Sequence, residues 1–95
     1  MIAAMMDKIT QTYSFASQRE IFVEECAEAI QAAQKIKREG SPEECDTAFE
    51  HFCEEVADVL NTAEQMRYFC GADKIDKIRA AKLQRQLERI ERAET

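Results

Sequence analysis

A chain of 95 residues is one domain at most, spanning 1–95, and its 19 Leu, Ile, Val and Phe residues make a thin core that calls for a partner subunit. Two glycines and one proline are too few turn-formers for an all-β or βαβ domain, whereas Ala, Glu, Gln, Lys and Arg favour helix. A net charge of −6 and a pI near 4.8 oppose binding to nucleic acid or to an anionic membrane.

The expected fold is therefore all-α, a small antiparallel bundle of about four helices. The charge is uneven: residues 1–72 carry a net −8 and residues 73–95 a net +2. The apolar run from Met1 stops at Asp7-Lys8, short of a signal-peptide core, and no uncharged stretch approaches a membrane span. A cytoplasmic location is expected. Cys26, Cys45, Cys53 and Cys70 match no zinc or redox spacing and read as buried free thiols in a reducing compartment.

The first predicted helix is short, Ala4 to Tyr13, with Met5, Met6 and Ile9 available to pack. The second opens on the capping box Ser17-Gln18-Arg19-Glu20, runs to about Arg38 and ends at Gly40. Phe22, Cys26, Ala29, Ile30, Ala33 and Ile36 form its apolar stripe. The third has Ser41 as N-cap, Pro42 at the first helical position and Glu44 at the third. Phe49, Phe52, Cys53, Val56, Leu60, Ala63, Met66 and Cys70 mark its buried side up to Gly71. A fourth helix starts near Asp73 and carries Ile75, Ile78, Leu83, Leu87 and Ile90.

The chemistry is concentrated in two acidic segments. Glu25 and Glu28 stand three apart on the second helix, as do Glu55 and Asp58 on the third, so each pair projects from one face. Both pairs border apolar positions. If the two helices pack antiparallel, four carboxylates meet and repel, and only protons or cations can neutralise them. Oxygen ligands without His or Cys select Mg²⁺, with Mn²⁺ as the alternative, rather than zinc. The lone His51 has Ala48 three positions before it, so the Glu-x-x-His pattern of di-iron bundles is absent.

On the fourth helix Lys82, Arg85, Arg89 and Arg92 share one side and could hold phosphate oxygens. A solvated face balanced by Glu88 and Glu91 is the plainer reading of that row. Lys35, Lys37 and Arg38 pose the same question at the end of the second helix, where they also suit the helix dipole. Acids, metal and bases together point to a nucleotide polyphosphate substrate attacked by metal-bound water. Glu24 is the first candidate to take the water's proton.

Glu24-Glu25-x-x-Glu28, 26 intervening residues and Glu55-x-x-Asp58 resemble the EExxE…ExxD signature of MazG-like nucleotide pyrophosphohydrolases, of the all-α NTP pyrophosphatase superfamily. Lys82-Leu83-Gln84-Arg85 is similar to that family's basic segment, and the resemblance covers about residues 17–92. It implies a homodimer or dimer of dimers and Mg²⁺-dependent cleavage of an NTP or dNTP to its monophosphate and pyrophosphate. By this resemblance Glu25, Glu28, Glu55 and Asp58 would bind metal, Lys82 and Arg85 would touch phosphate and Asn61 would reach the nucleotide; from the residues themselves, Glu24 and Glu25 are the expected catalytic groups and Lys35 a further substrate contact. Gln86 stands where many relatives carry Asn, and the chain has no Trp to stack a base. Tyr13, Phe15, Phe22 and Tyr68 could substitute, but read as core. Phosphoribosyl-ATP pyrophosphohydrolase is the alternative enzyme; a nucleotide-binding module without turnover and a plain helical bundle are the non-enzymatic ones.

Overall fold

The computed structural model describes residues 1–36 and 42–94, with side chains from 46 onward in the second of these stretches. Four helices are present among them and no strand: α1 (Ile2–Thr12), α2 (Phe15–Ile36), α3 (Pro42–Cys70) and α4 (Ala72–Glu94). No helix is long and apolar enough to cross a membrane. Gly40, Ser41, Lys37 and Arg38 lie outside the described residues, so the expected end of the second helix and cap of the third do too.

One expected boundary moves. Ser17 does not cap α2; it lies inside the first turn. Its backbone N–H donates to Ser14 Oγ at 3.2 Å and the Gln18 N–H donates to Ser14 O at 3.1 Å, which makes Ser14 the N-cap. Ser14 and Ser17 are both cap-forming residues three apart, and with the earlier one as cap Phe15 joins the first turn and meets Phe69 of α3 edge to face at 5.7 Å. At the far end of α3, Gly71 takes φ +107° and its N–H donates to Arg67 O and Tyr68 O. That backbone, costly for residues with a Cβ, lets α4 start one residue after α3 stops.

The body is the α2–α3 hairpin, and α1 leans on α3. Ala32, 1% exposed, is the one buried hydrophobic residue among those described, because helices this polar approach closely only where a side chain is small. The apolar stripes are correspondingly shallower than expected. Ile30, Phe49, Cys53, Leu60 and Cys70 are exposed, as are Ile78, Leu83, Leu87 and Ile90 on α4. Met5, Tyr13, Phe15 and Tyr68 are exposed too, so three of the four aromatics expected in the core are not there. The described thiols are also not buried: Cys26 is intermediate, Cys53 and Cys70 are exposed, all three are free, and the Cys45 side chain lies outside those described. Each of these residues has the right helical spacing, but one chain does not supply enough helices to cover every stripe.

The shape reflects this deficit. A compact chain of this length has a radius of gyration of about 12 Å, and this one measures 17.0 Å. Part of the difference is α4, which is tied to α3 only at its base. Arg67 donates to Asp76 through Nε at 2.7 Å and Nη2 at 2.6 Å, and to Glu64 through Nη1 at 2.7 Å. This two-pronged pair holds the Asp76 carboxyl below its ordinary range and the guanidinium firmly charged. From Lys77 to Glu94 every residue of α4 is exposed.

Candidate metal centre

Where α2 and α3 face each other, their acidic segments cross. Glu25 lies near enough to Asp58, and Glu55 to Glu28, for the neighbouring acid to raise its carboxyl pKa. Moving three residues forward on α2 moves three back on α3, which is the register of an antiparallel pair. The sequence spacing thus becomes a cluster: one carboxylate oxygen each from Glu25, Glu28 and Glu55 lie within 4.8 Å of one another. Asp58 flanks them from its pairing with Glu25.

The surroundings of these carboxyl groups oppose their ionisation. Glu55 is 8% exposed, yet its Oε2 has no hydrogen-bond partner, and Glu25 Oε2 is likewise buried and unpartnered. Burial is the main cause that raises the Glu25 carboxyl above its ordinary range, and Asp58, Glu28 and Glu55 add repulsion. Burial also leads for Glu55, followed by Glu28; His51 partly opposes the rise. Ionising Glu25 and Glu55 where they sit therefore costs free energy that a bound cation would offset. A hard divalent cation fits this donor set: all oxygen, anionic, and partly shielded from solvent.

One neighbour, His51, escaped the sequence reading as a site residue. His51 Nε2 lies 3.6 Å from Glu55 Oε1 and its Nδ1 lies 3.9 Å from Glu54 Oε2. The four-residue step from His51 to Glu55 was visible in the sequence as a same-face pair. Away from the cluster, nearly three turns beyond Glu55 on α3, Gln65 is buried with Oε1 unpartnered. Thr62, between them, donates to Asp58 O at 3.0 Å and Val59 O at 3.1 Å, so its hydroxyl is absorbed by its own helix.

The remaining expected site residues stand outside the cluster. Glu24 is exposed and about 100° around α2 from Glu25. Lys35 is exposed in the last turn of α2, on the side of Glu28 and roughly 10 Å further along the axis. Asn61, one turn past Asp58, is exposed and lines a half-open groove of about 570 Å³ between α1 and α3, with Met6, Leu60, Glu64 and Tyr68. Lys82 and Arg85 are exposed on α4, and among the described residues no ion pair joins either to the cluster. Comparison with protein-family models, curated proteins and solved structures finds no match for this chain.

Proposed function

We propose that this protein is a Mg²⁺-dependent nucleotide pyrophosphohydrolase of the MazG-like kind, cutting an NTP or dNTP to its monophosphate and pyrophosphate. One observation carries the reading: Glu25, Glu28 and Glu55 converge within 4.8 Å, with two buried carboxylate oxygens left unpartnered. A solvated acidic face has no reason to bury an unsatisfied carboxylate.

In this reading Glu25, Glu28, Glu55 and Asp58 hold the cation, with Mn²⁺ as a substitute for Mg²⁺. When bound, the metal supplies charge neutralisation for the polyphosphate and a water acidic enough to attack phosphorus. His51, 3.6 Å from Glu55 Oε1, is the group that would steady Glu55. Glu24, exposed and outside the cluster, is the candidate to take the proton of the attacking water, and reaches it only if substrate binding brings that water to its side of α2. Lys35 shares the side of Glu28 and can receive the far end of an extended triphosphate; Asn61 serves the nucleoside. The protein acts as a homodimer or dimer of dimers, because the surface one chain leaves uncovered needs a second copy.

The test is release of pyrophosphate from each NTP and dNTP, with phosphoribosyl-ATP alongside, in the presence of Mg²⁺. Turnover that disappears in Glu55→Gln and Asp58→Ala supports the reading. A folded protein inert towards every nucleotide overturns it.

A further inference from the structure

We propose that His51 is a further ligand of the carboxylate centre: its Nε2 and Glu55 Oε1 hold the same ion, and the added nitrogen makes the centre favour a first-row transition ion such as Mn²⁺ over Mg²⁺. This rests on the metal-centre reading above and adds to it a donor that the two acid pairs lack.

The chain contains a single histidine. His51, Glu54 and Glu55 stand at i, i+3 and i+4 of α3, so the ring shares a face with Glu55. The register that sets Glu28 beside Glu55 brings His51 level with Ala32, one turn back on α3 and one turn forward on α2. At that level α2 presents only a methyl group, and Ala32 is 1% exposed. The His51 side chain is 49% exposed against 10% for Glu55. The ring therefore stands on the solvent side of Glu55, where an ion would enter.

The distances suit coordination better than a hydrogen bond. His51 Nε2 lies 3.6 Å from Glu55 Oε1, beyond the roughly 3.2 Å limit of an N–H···O bond. Metal–ligand bonds of about 2.0–2.2 Å separate neighbouring donor atoms by roughly 3.0–3.5 Å and opposite ones by about 4.2 Å. The gap between Nε2 and Oε1 is close to the first value. The oxygens of Glu25, Glu28 and Glu55, within 4.8 Å of one another, need to close in only a little to meet the second. Glu55 Oε2 is buried without a partner, so this carboxylate can turn either oxygen to an ion.

The other ring nitrogen completes the pattern. His51 Nδ1 lies 3.9 Å from Glu54 Oε2. A proton on Nδ1 directed at that carboxylate leaves the Nε2 lone pair free, which is the carboxylate–histidine–metal order found where imidazole binds a metal. Carboxylates alone suit Mg²⁺, Ca²⁺ and Mn²⁺ alike, whereas imidazole suits transition ions. Mn²⁺ accepts both donors. Mg²⁺ keeps its waters and its oxygen ligands, so the nitrogen adds little to its binding. A histidine that only packs beside Glu55 would change the affinity for both ions together.

Because His51 is the one histidine of the chain, isotope labelling reads the ligand without any substitution. The full chain carrying ¹⁵N-histidine is loaded with Mn²⁺ and studied by pulsed EPR. A ¹⁵N coupling to the bound ion is expected, replaced by ¹⁴N in unlabelled protein and lost in His51→Gln. Calorimetric titration in chelator-treated buffer should show His51→Gln binding Mn²⁺ about 10–100-fold more weakly, with Mg²⁺ affinity within about threefold of wild type. Bound Mn²⁺ without nitrogen coupling, or equal losses for both ions, overturns the proposal and leaves the four carboxylates as the whole centre. Binding of neither ion to the folded wild type overturns it together with the metal-centre reading.

Discussion

Replacing Glu55 by Gln keeps the shape of the side chain and removes one negative charge from a group of carboxylates lying within 4.8 Å. Two opposite effects follow. Without metal, the variant should melt higher than the wild type, since burial and Glu28 both disfavour the charged Glu55 that folding must otherwise accommodate. With metal, the order reverses. A cation that binds only the folded state at 100 times its dissociation constant adds about 2.7 kcal/mol by linkage, which for a chain of this length raises Tm by roughly 10–20 °C. The variant, with one ligand fewer, should lose most of that rise. Differential scanning calorimetry at pH 7 with EDTA and then with 10-fold steps of MgCl₂ measures both effects. A wild-type Tm indifferent to Mg²⁺ and Mn²⁺, or a Glu55→Gln protein less stable than wild type in EDTA, would refute the reasoning: the cluster would then be solvated and already compensated.

Other predictions test the frame around the site. Ser14→Ala should cost about 1 kcal/mol in denaturant unfolding through loss of the α2 cap, and Ser17→Ala much less; the reverse order would restore the later capping box. Ala32→Leu should destabilise by about 1–3 kcal/mol, because a fully buried position has no solvent-facing room for the larger side chain. The folded-state pKa of Asp76 is lowered by Arg67, so the pair stabilises the fold above the unfolded pKa and is lost as pH falls through the folded value. Tm of the wild type should therefore drop on acidification below about pH 4 more steeply than that of Asp76→Asn, and parallel curves would show that the pair does not hold α4. In the nucleotide assay Asp58→Asn should reduce pyrophosphate release about 10²–10³-fold, the loss typical of one electrostatic group at a reacting centre.

Local features of the amino-acid order were enough for the four helices, for most of their boundaries, and for two acid pairs on consecutive helices. Helix propensity, Pro42, Gly71 and i, i+3 spacing act within a few residues, so they need no knowledge of the rest of the chain. The capping box at Ser17 shows where local information ceases to decide. Two serines can cap the same helix, and with the earlier as cap Phe15 meets Phe69, a residue far from it in sequence. Only tertiary structure decided which acids meet, since Glu25 faces Asp58 and Glu28 faces Glu55 through the antiparallel register of α2 and α3. It alone decided that Glu24, Lys82 and Arg85 stand apart from them. It also separated spacing from burial. Periodicity marks the side of a helix that can pack, whereas burial depends on whether another helix is there to pack against it. For Leu83, Leu87 and Ile90 this chain supplies none.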